Sequence, residues 1–492
     1  MTNTITTTIV WMVVPLFLGF SGYLVPQLGR VFALSVALLS LGYGLGHIVD
    51  PSVFSWQLLD SFGVSLRVDS LSGYFIITNA LVTAAVVMYC WQKGKTAFFY
   101  AQVTLLHGSM NAIFICNDFI SLYVALEVIS IAVFLLIAYP RDDRSIWIGL
   151  RYLFISNTAM LFYLIGAVLV YQTSSSFAFA GLEGAPNEGL ALIFLGLLTK
   201  GGVFVSGLWL PQTHAESETP VSALLSGVVV KAGVFPLVRL ALLMDEVGWL
   251  LSLFAVGAAI VGVVYAILEQ DTKRLLAAST LSQMGFVLVA PTAAGLYALT
   301  HGLAKAALFL GVGNLPSRQF QELRRGVLPR WNWLAIAIPA LSISGLPLLG
   351  GFAAKSITLD TLTGWQQMVM NVAAVGTAIA FAKLLFLPIQ TKAIPIQDSP
   401  PKKGKVAALW WALVPLVSGL LLANSVYAYA LKSILKALLT LGIGWLIYGL
   451  MDRLGIWDNL RKFQLPRAVE QLEHLIGIMS LMLVLLFGMA LA

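Results

Sequence analysis

Apolar stretches recur along the whole chain, broken by short polar, glycine- or proline-bearing runs. Each is about 18 to 25 residues long, enough for a helix to cross ~30 Å of hydrocarbon. Period-2 alternation is absent, which argues against a β-barrel. The pattern predicts an all-α polytopic membrane protein with spans near 8–28, 31–49, 70–91, 97–116, 119–139, 146–171, 189–210, 220–242, 247–268, 275–291, 294–313, 331–360, 366–388, 406–430, 432–450 and 470–491. No Lys or Arg precedes Arg30, so the first span reads as a retained helix and not a cleaved signal peptide.

The segments between spans fix an orientation, because short cytoplasmic loops collect Lys and Arg. Alternate loops carry Arg30; Lys93 and Lys95; Arg141 and Arg144; Lys273 and Arg274; Arg318, Arg324, Arg325 and Arg330; Lys402, Lys403 and Lys405; then Arg453, Arg461, Lys462 and Arg467. The acidic stretch 213–219 is the one exception, and both termini are predicted on the outer side. With 59% hydrophobic and 10% charged residues, the net charge of +7 follows from this bias and gives no indication of nucleic acid. Cys90 and Cys116 sit at span ends without metal-ligand spacing, and no phosphate-binding loop is present, so no cofactor or metal site is predicted.

An ionised side chain at the bilayer centre costs about 2.5–3.5 kcal/mol on insertion scales, so each one needs a reason. Lys200, Lys231, Lys305 and Lys383 fall well inside spans, with Lys355 in a span that looks broken. Glu127 is the one carboxylate deep inside a span in the first half, since Asp69 and Asp118 stand at helix ends where water is expected to reach them. Lys200 and Lys231, in the same half, are its plausible mates. Separating a Glu–Lys pair favours the neutral form of both, which would make it a proton switch; a static pair pinning helices is the plainer reading. One carboxylate cannot neutralise all these amines, and an amine that is hydrated or deprotonated can carry protons. His301 lies one turn from Lys305 on the same face and suits a relay, whereas His47 and His107 lack such company and read as structural.

Lys200 is followed by Gly201, Gly202, Gly207 and Pro211, and Lys355 is preceded by SGLPLLGG. Interrupted helices at corresponding places point to a transport site, although close packing also recruits glycine. Lys200 and Lys231 are 31 residues apart and Lys355 and Lys383 are 28 apart; Pro236 and Pro388 follow each second lysine by five. The expected organisation is helices one to three over 1–95, a five-helix unit over 96–245, a second, inverted unit over 246–390, and C-terminal helices over 391–492.

Four stretches carry a resemblance to a known family: YVALEVISI; LLTKGGVFVSGLWLPQTHAESETPVSALLSGVVVKAGVFPLVR; DTKRLLAASTLSQMGFVL with HGLAKAALFLGVG; and SISGLPLLGGFAAKS. The chain resembles the proton-translocating membrane subunits shared by Mrp-type cation/proton antiporters and respiratory complex I. The resemblance implies fourteen core helices, two inverted five-helix units and two broken helices. It implies Glu127 and Lys200 as a switch pair, Lys231 as the next relay lysine, His301 and Lys305 as the central relay, and Lys355 as the terminal group. Lys383 stands near a position often occupied by Arg. The length resembles the D-type antiporter subunit, whereas two helices after the fourteenth span resemble the A-type. The function implied is proton conduction within a multi-subunit antiporter, sodium being the expected cation, in a bacterial plasma or thylakoid membrane. The alternative is a proton-pumping subunit of a quinone oxidoreductase or of a proton-coupled inorganic-carbon uptake complex.

Overall fold

The computed structural model describes residues 2–59, 63–390, 403–457 and 467–491; Lys402, Arg461 and Lys462 lie outside them. The chain is an all-α polytopic bundle. Its helices are α1 (Thr2–Leu24), α2 (Gly29–Val49), α3 (Ser70–Cys90), α4 (Ala97–Ile113), α5 (Phe119–Ile137), α6 (Asp143–Ser174), α7 (Asn187–Lys200), α8 (Leu210–Glu216), α9 (Thr219–Leu224), α10 (Lys231–Ala241), α11 (Asp245–Leu268), α12 (Thr272–Leu288), α13 (Ala294–Val312), α14 (Phe320–Arg325), α15 (Arg330–Ser344), α16 (Gly350–Asp360), α17 (Gly364–Leu385), α18 (Lys403–Asn424), α19 (Leu431–Arg453) and α20 (Leu472–Leu491). Among the described residues, 13 segments are long and apolar enough to span a membrane. The other three expected spans are α4 and α12, each 17 residues, and the broken pair α15 and α16.

Aspartates start several of these helices. Asp69, Asp118 and Asp142 each accept from the backbone amide of a serine three residues on, at 3.0, 2.7 and 2.8 Å, satisfying donors that the first turn leaves orphaned. The expectation that water reaches Asp69 and Asp118 is corrected, because both are buried. An antiparallel ribbon, β1 (Phe54–Gln57) with β2 (Ser65–Val68), packs over that end, and Ser65 donates its amide to Asp118 at 2.8 Å. Four-residue strands are too short to register in the hydropathy pattern. Asp69 is further held by Arg239 from α10 and, at 3.4 Å, by Arg67.

Both expected breaks are present. The first leaves α7 at Lys200 and passes through Gly202 at φ +63° before α8 begins; the Thr199 carbonyl there accepts from the Gly202 amide at 3.2 Å and from Trp209 Nε1 at 3.0 Å. The second ends α15 at a left-handed Gly345 (φ +93°), whose neighbour Leu346 donates its amide to Leu341 at 2.9 Å before α16 restarts. Between α9 and α10 the backbone widens into a π turn, Leu225–Val229. At the centre, every residue of α10, α12 and α13 is buried, although α12 carries Ser279, Thr280, Ser282 and Gln283. A polar helix surrounded by protein inside an apolar bundle marks an interior built around something other than hydrocarbon. Glu470, just before α20, forms a buried ion pair with Arg274, which also pairs with Glu269 at 3.0 Å, and α20 packs on α7 and α6.

Burial by itself pushes the Asp69 carboxyl up, but the bonds and charge of Arg239 overcome it and hold the carboxyl below its ordinary value. Its contribution to stability is present above the ordinary carboxylate range and is lost as pH falls through the depressed value. Asp69→Asn leaves Arg239 buried without its charge partner, a loss of about 3–5 kcal/mol for pairs of this kind. The Tm of the purified protein is expected to drop by several degrees near neutral pH and the difference from wild type to shrink on acidification. Equal melting curves at pH 7 would refute this.

Candidate functional site

Lys200, the last residue of α7, projects between α5 and α6 into a cage of neutral oxygens. Its ammonium donates to Ser130 Oγ and Ser156 Oγ, each at 2.6 Å, and to Leu126 O and Tyr152 OH, each at 3.4 Å; the two serine hydroxyls also bond each other at 2.9 Å. Glu127, the expected mate, forms no ion pair within 4.0 Å. It lies half-buried on the adjoining face of α5, between Val124, Val128 and Ile131, which are 56%, 39% and 52% exposed. The sequence placed Glu127 and Lys200 in one region, and in the structure the two act on each other electrostatically without forming an ion pair.

Lys231 opens α10 directly after the π turn. It donates to the Ser226 carbonyl at 3.3 Å and lies 3.2 Å from His301 Nδ1. A π turn displaces carbonyls from the helical ladder and is frequent where function needs them. The other ring nitrogen of His301, Nε2, is buried without a protein partner. The ring lines a cavity of about 10 Å³ with Gln283, Tyr297, Thr300, Ser342 and Ile343, close to the space one water needs. Ile343, one of these lining residues, accepts at its carbonyl from Lys355 Nζ at 2.9 Å. The structure therefore sets Lys231 against His301 and anchors Lys355 on Ile343, which lines the same small cavity as His301.

Lys305, one turn from His301 on α13, points elsewhere. Its ammonium donates to Leu276 O on α12 at 2.8 Å and faces the Phe381 ring at 5.3 Å. Lys383 is not brought to the series. It donates to the carbonyls of Glu269 and, at 3.1 Å, Ile267, and so caps the C-terminal end of α11. No hydrogen bond joins Lys200 to Lys231; α7 and α10 meet there backbone to backbone, where a Cβ on Gly233 would collide with the Gly201 nitrogen.

Several polar residues of this interior escaped the sequence reading. Ser130, Tyr152 and Ser156 are hydroxyls in apolar spans, a signal too common to single out. Gln283, which accepts from Tyr297 OH at 2.8 Å, is an amide on a helix with no apolar stripe, and that absence of amphipathicity was the available clue. His214 is fully buried with both ring nitrogens unpartnered, stacked on Phe309 at 4.7 Å, one turn beyond Lys305. His107, read as structural, bonds Ser40 Oγ at 2.8 Å and Thr83 Oγ1 at 3.0 Å.

Residues 116–380, more than half of the chain, match the family model described as NADH:quinone oxidoreductase/Mrp antiporter, transmembrane. The chain belongs to that family. Glu127, Lys200, Lys231, His301, Lys305 and Lys355 all fall inside the matched stretch, and Lys383 falls just beyond it. Hydrogenase-4 component B of Escherichia coli (strain K12) is 31% identical over 344 residues, covering 61% of this chain and 51% of that protein. The putative antiporter subunit mnhA2 of Staphylococcus aureus (strain MRSA252) is 30% identical over 369 residues, covering 65% and 46%. The chain thus spans about half the length of these relatives. Among solved structures, the Mrp complex from Dietzia sp. DQ12-45-1b matches with a TM-score of 0.74 over 93% of this chain and all of that one. The membrane-bound sulfane sulfur reductase, an archaeal respiratory membrane complex, matches with 0.73 over 90% and 99%. Both are 19% identical to this chain and speak for the fold. Within the NADH:quinone oxidoreductase/Mrp antiporter family, α18, α19 and α20 lie beyond the matched stretch.

The serine cage makes a thermodynamic prediction. A hydrogen bond to a charged group is worth about 1.5–3 kcal/mol, so Ser130→Ala should destabilise the protein by that order. In a Lys200→Met background, where no ammonium needs the hydroxyl, the same substitution should lose most of its effect. Equal effects of Ser130→Ala in the two backgrounds, measured as shifts of Tm, would show that Ser130 does not hold Lys200.

Proposed function

We propose that this chain is the proton-conducting membrane subunit of a multi-subunit Mrp-type cation/proton antiporter, sodium being the cation exchanged. The observation that carries the reading is a set of buried amines, Lys200, Lys231, Lys305 and Lys355, which among the described residues pair with no carboxylate and rest on carbonyls, hydroxyls or an imidazole. An amine so held loses and regains a proton without leaving a counter-charge stranded. In the proposed cycle a proton taken up near Glu127 changes the occupancy of Lys200. Lys231 receives it, and His301 with the water space beside it passes it to Lys355, with Lys305 as a branch toward α12. The cycle uses two inverted units, 96–245 and 246–390, each contributing one break. The charge bias of the loops supports both termini on the outer side of a plasma membrane.

Glu127 supports membrane partners. A carboxylate half-exposed on an apolar face would confront lipid in isolation, and intramembrane carboxylates face protein or water. A neighbouring subunit over this face of α5 supplies either. The second reading, a pumping subunit of a quinone oxidoreductase or of an inorganic-carbon uptake complex, draws support from the respiratory and hydrogenase relatives. The same relay serves it, and the subunits that co-purify with the chain decide between the two.

Proton transport by the intact complex in membrane vesicles tests the relay. Lys200→Ala and Glu127→Ala are expected to lower it at least tenfold. Lys200→Arg should fail as well, because guanidinium stays protonated. Wild-type rates in Lys200→Ala and Glu127→Ala would remove the switch.

A further inference from the structure

Lys355 connects two cavities. Its ammonium donates to Ile343, a residue that lines the water-sized space beside His301, while its own side chain lines a second cavity that leads outward. It measures about 30 Å³, room for a water or two. Its inner wall is Lys355 with Ser344 and Gly345 at the second break, and its outer wall is Asp360 at the end of α16 with Lys436 on α19. α19 presents Ser433, Lys436, Ala437 and Thr440 to this space at helical three- and four-residue spacing, while Leu431, Leu435, Leu438 and Leu439 on its other side are 73%, 57%, 47% and 64% exposed. A lipid-facing helix has no need of a polar inner stripe unless the stripe lines something wet.

The mouth of the cavity carries a loose ion pair. Lys436 Nζ lies 3.9 Å from Asp360 Oδ1, with the two side chains 37% and 54% exposed. A pair this long and this wet is held weakly and opens readily. The wall beside it is tied down: Leu348 donates its amide to Tyr429 OH at 3.0 Å, Phe352 packs between Tyr427 and Tyr429 at 5.5 Å from each, and Tyr427 OH donates to Ser433 Oγ at 2.8 Å. The break that carries Lys355 is thereby fixed to α19, a helix beyond the stretch that matches the family model.

We propose that the cavity between α16 and α19 is the portal through which Lys355 exchanges protons with the aqueous phase, and that Asp360 and Lys436 form its gate. This rests on the relay reading above. In the outward direction the Lys355 ammonium gives one proton to the cavity water, and the proton passes to the Asp360 carboxylate and from there to bulk solvent, leaving Lys355 as the neutral amine. Inward transfer is the reverse. Lys436 closes the path by holding Asp360 as an ion pair and opens it by turning into solvent. The loop charges put this mouth on the outer side.

The intact complex in membrane vesicles provides the test. Ala437→Phe, which fills the cavity, and Asp360→Asn, at an exposed position that does not endanger folding, should each lower proton transport at least tenfold with normal complex assembly. Asp360→Glu should keep at least half of the wild-type rate, since the carboxylate is retained. Lys200→Ala in the same vesicles separates the two ideas. If it abolishes transport while Ala437→Phe and Asp360→Asn run at wild-type rates, the portal is wrong and the relay stands; if Lys200→Ala itself is unaffected, the relay falls. A readout independent of transport is labelling of Ser433→Cys by a small membrane-impermeant methanethiosulfonate, with Cys90 and Cys116 buried and silent. Labelling from the outer face, slowed at least tenfold by Ala437→Phe, is expected, and absence of labelling would overturn the portal.

Discussion

The interior depends on one constraint: an ammonium inside an apolar bundle must find oxygen. All five intramembrane lysines meet it in the same way, by donating to a backbone carbonyl: Leu126 for Lys200, Ser226 for Lys231, Leu276 for Lys305, Ile343 for Lys355, and Ile267 with Glu269 for Lys383. A carbonyl oxygen has a second lone pair beyond the one used in the helical ladder, so it steadies the charge without ever competing for the proton. A carboxylate would bind more strongly and would also accept the proton. On the proposed reading, the backbone is therefore a better rest for a charge that is passed on.

That constraint explains where the backbone is irregular. Ser226 sits in the π turn immediately before Lys231, and Ile343 stands two residues before the left-handed Gly345 that ends α15. Lys200 occupies the final position of its own helix, where amides of the break itself take up the carbonyls of Leu197, Leu198 and Thr199 and Trp209 adds a second bond to Thr199. Breaks of this kind are tolerated in a membrane only where protein or water satisfies the freed groups. Here hydroxyls, an indole and the lysines themselves do so. The glycines serve two different purposes: Gly202 and Gly345 supply positive φ, whereas Gly233 supplies close approach.

Much of this was readable in the chain and some of it was not, for a physical reason. Span positions, the two breaks and the lysine series are local in sequence, since each follows from hydropathy, glycine and charge within some 20 residues. Partnerships are not local. Lys231 meets His301 across 70 residues and Lys200 meets Ser130 across another 70, and nothing in SIAVF marks Ser130 as a cage residue. Charge complementarity suggested Glu127 for Lys200, but complementarity names a pair without giving its geometry: the helix rotation that turns Ser130 inward also turns Glu127 toward the rim. The same blindness applied to Asp118, which looked like a hydrated helix end and is covered by a ribbon too short to announce itself.

The junction between Lys200 and Lys231 then acquires a particular meaning on the proposed reading. Elsewhere the series is bridged by an imidazole or by room for water, but here α7 and α10 touch through Gly201 and Gly233, with Val234 filling the flank. Two amines cannot pass a proton across packed hydrocarbon, because the charged intermediate would be desolvated with no oxygen to receive it. Transfer requires the helices to part far enough to admit water. The glycines at this contact let the two backbones approach closely, which leaves no room for water between them as they stand. The dry junction is thus where a conformational change can govern proton movement, and α20, pinned through Glu470 and Arg274 and lying against α7, is placed to feel that change.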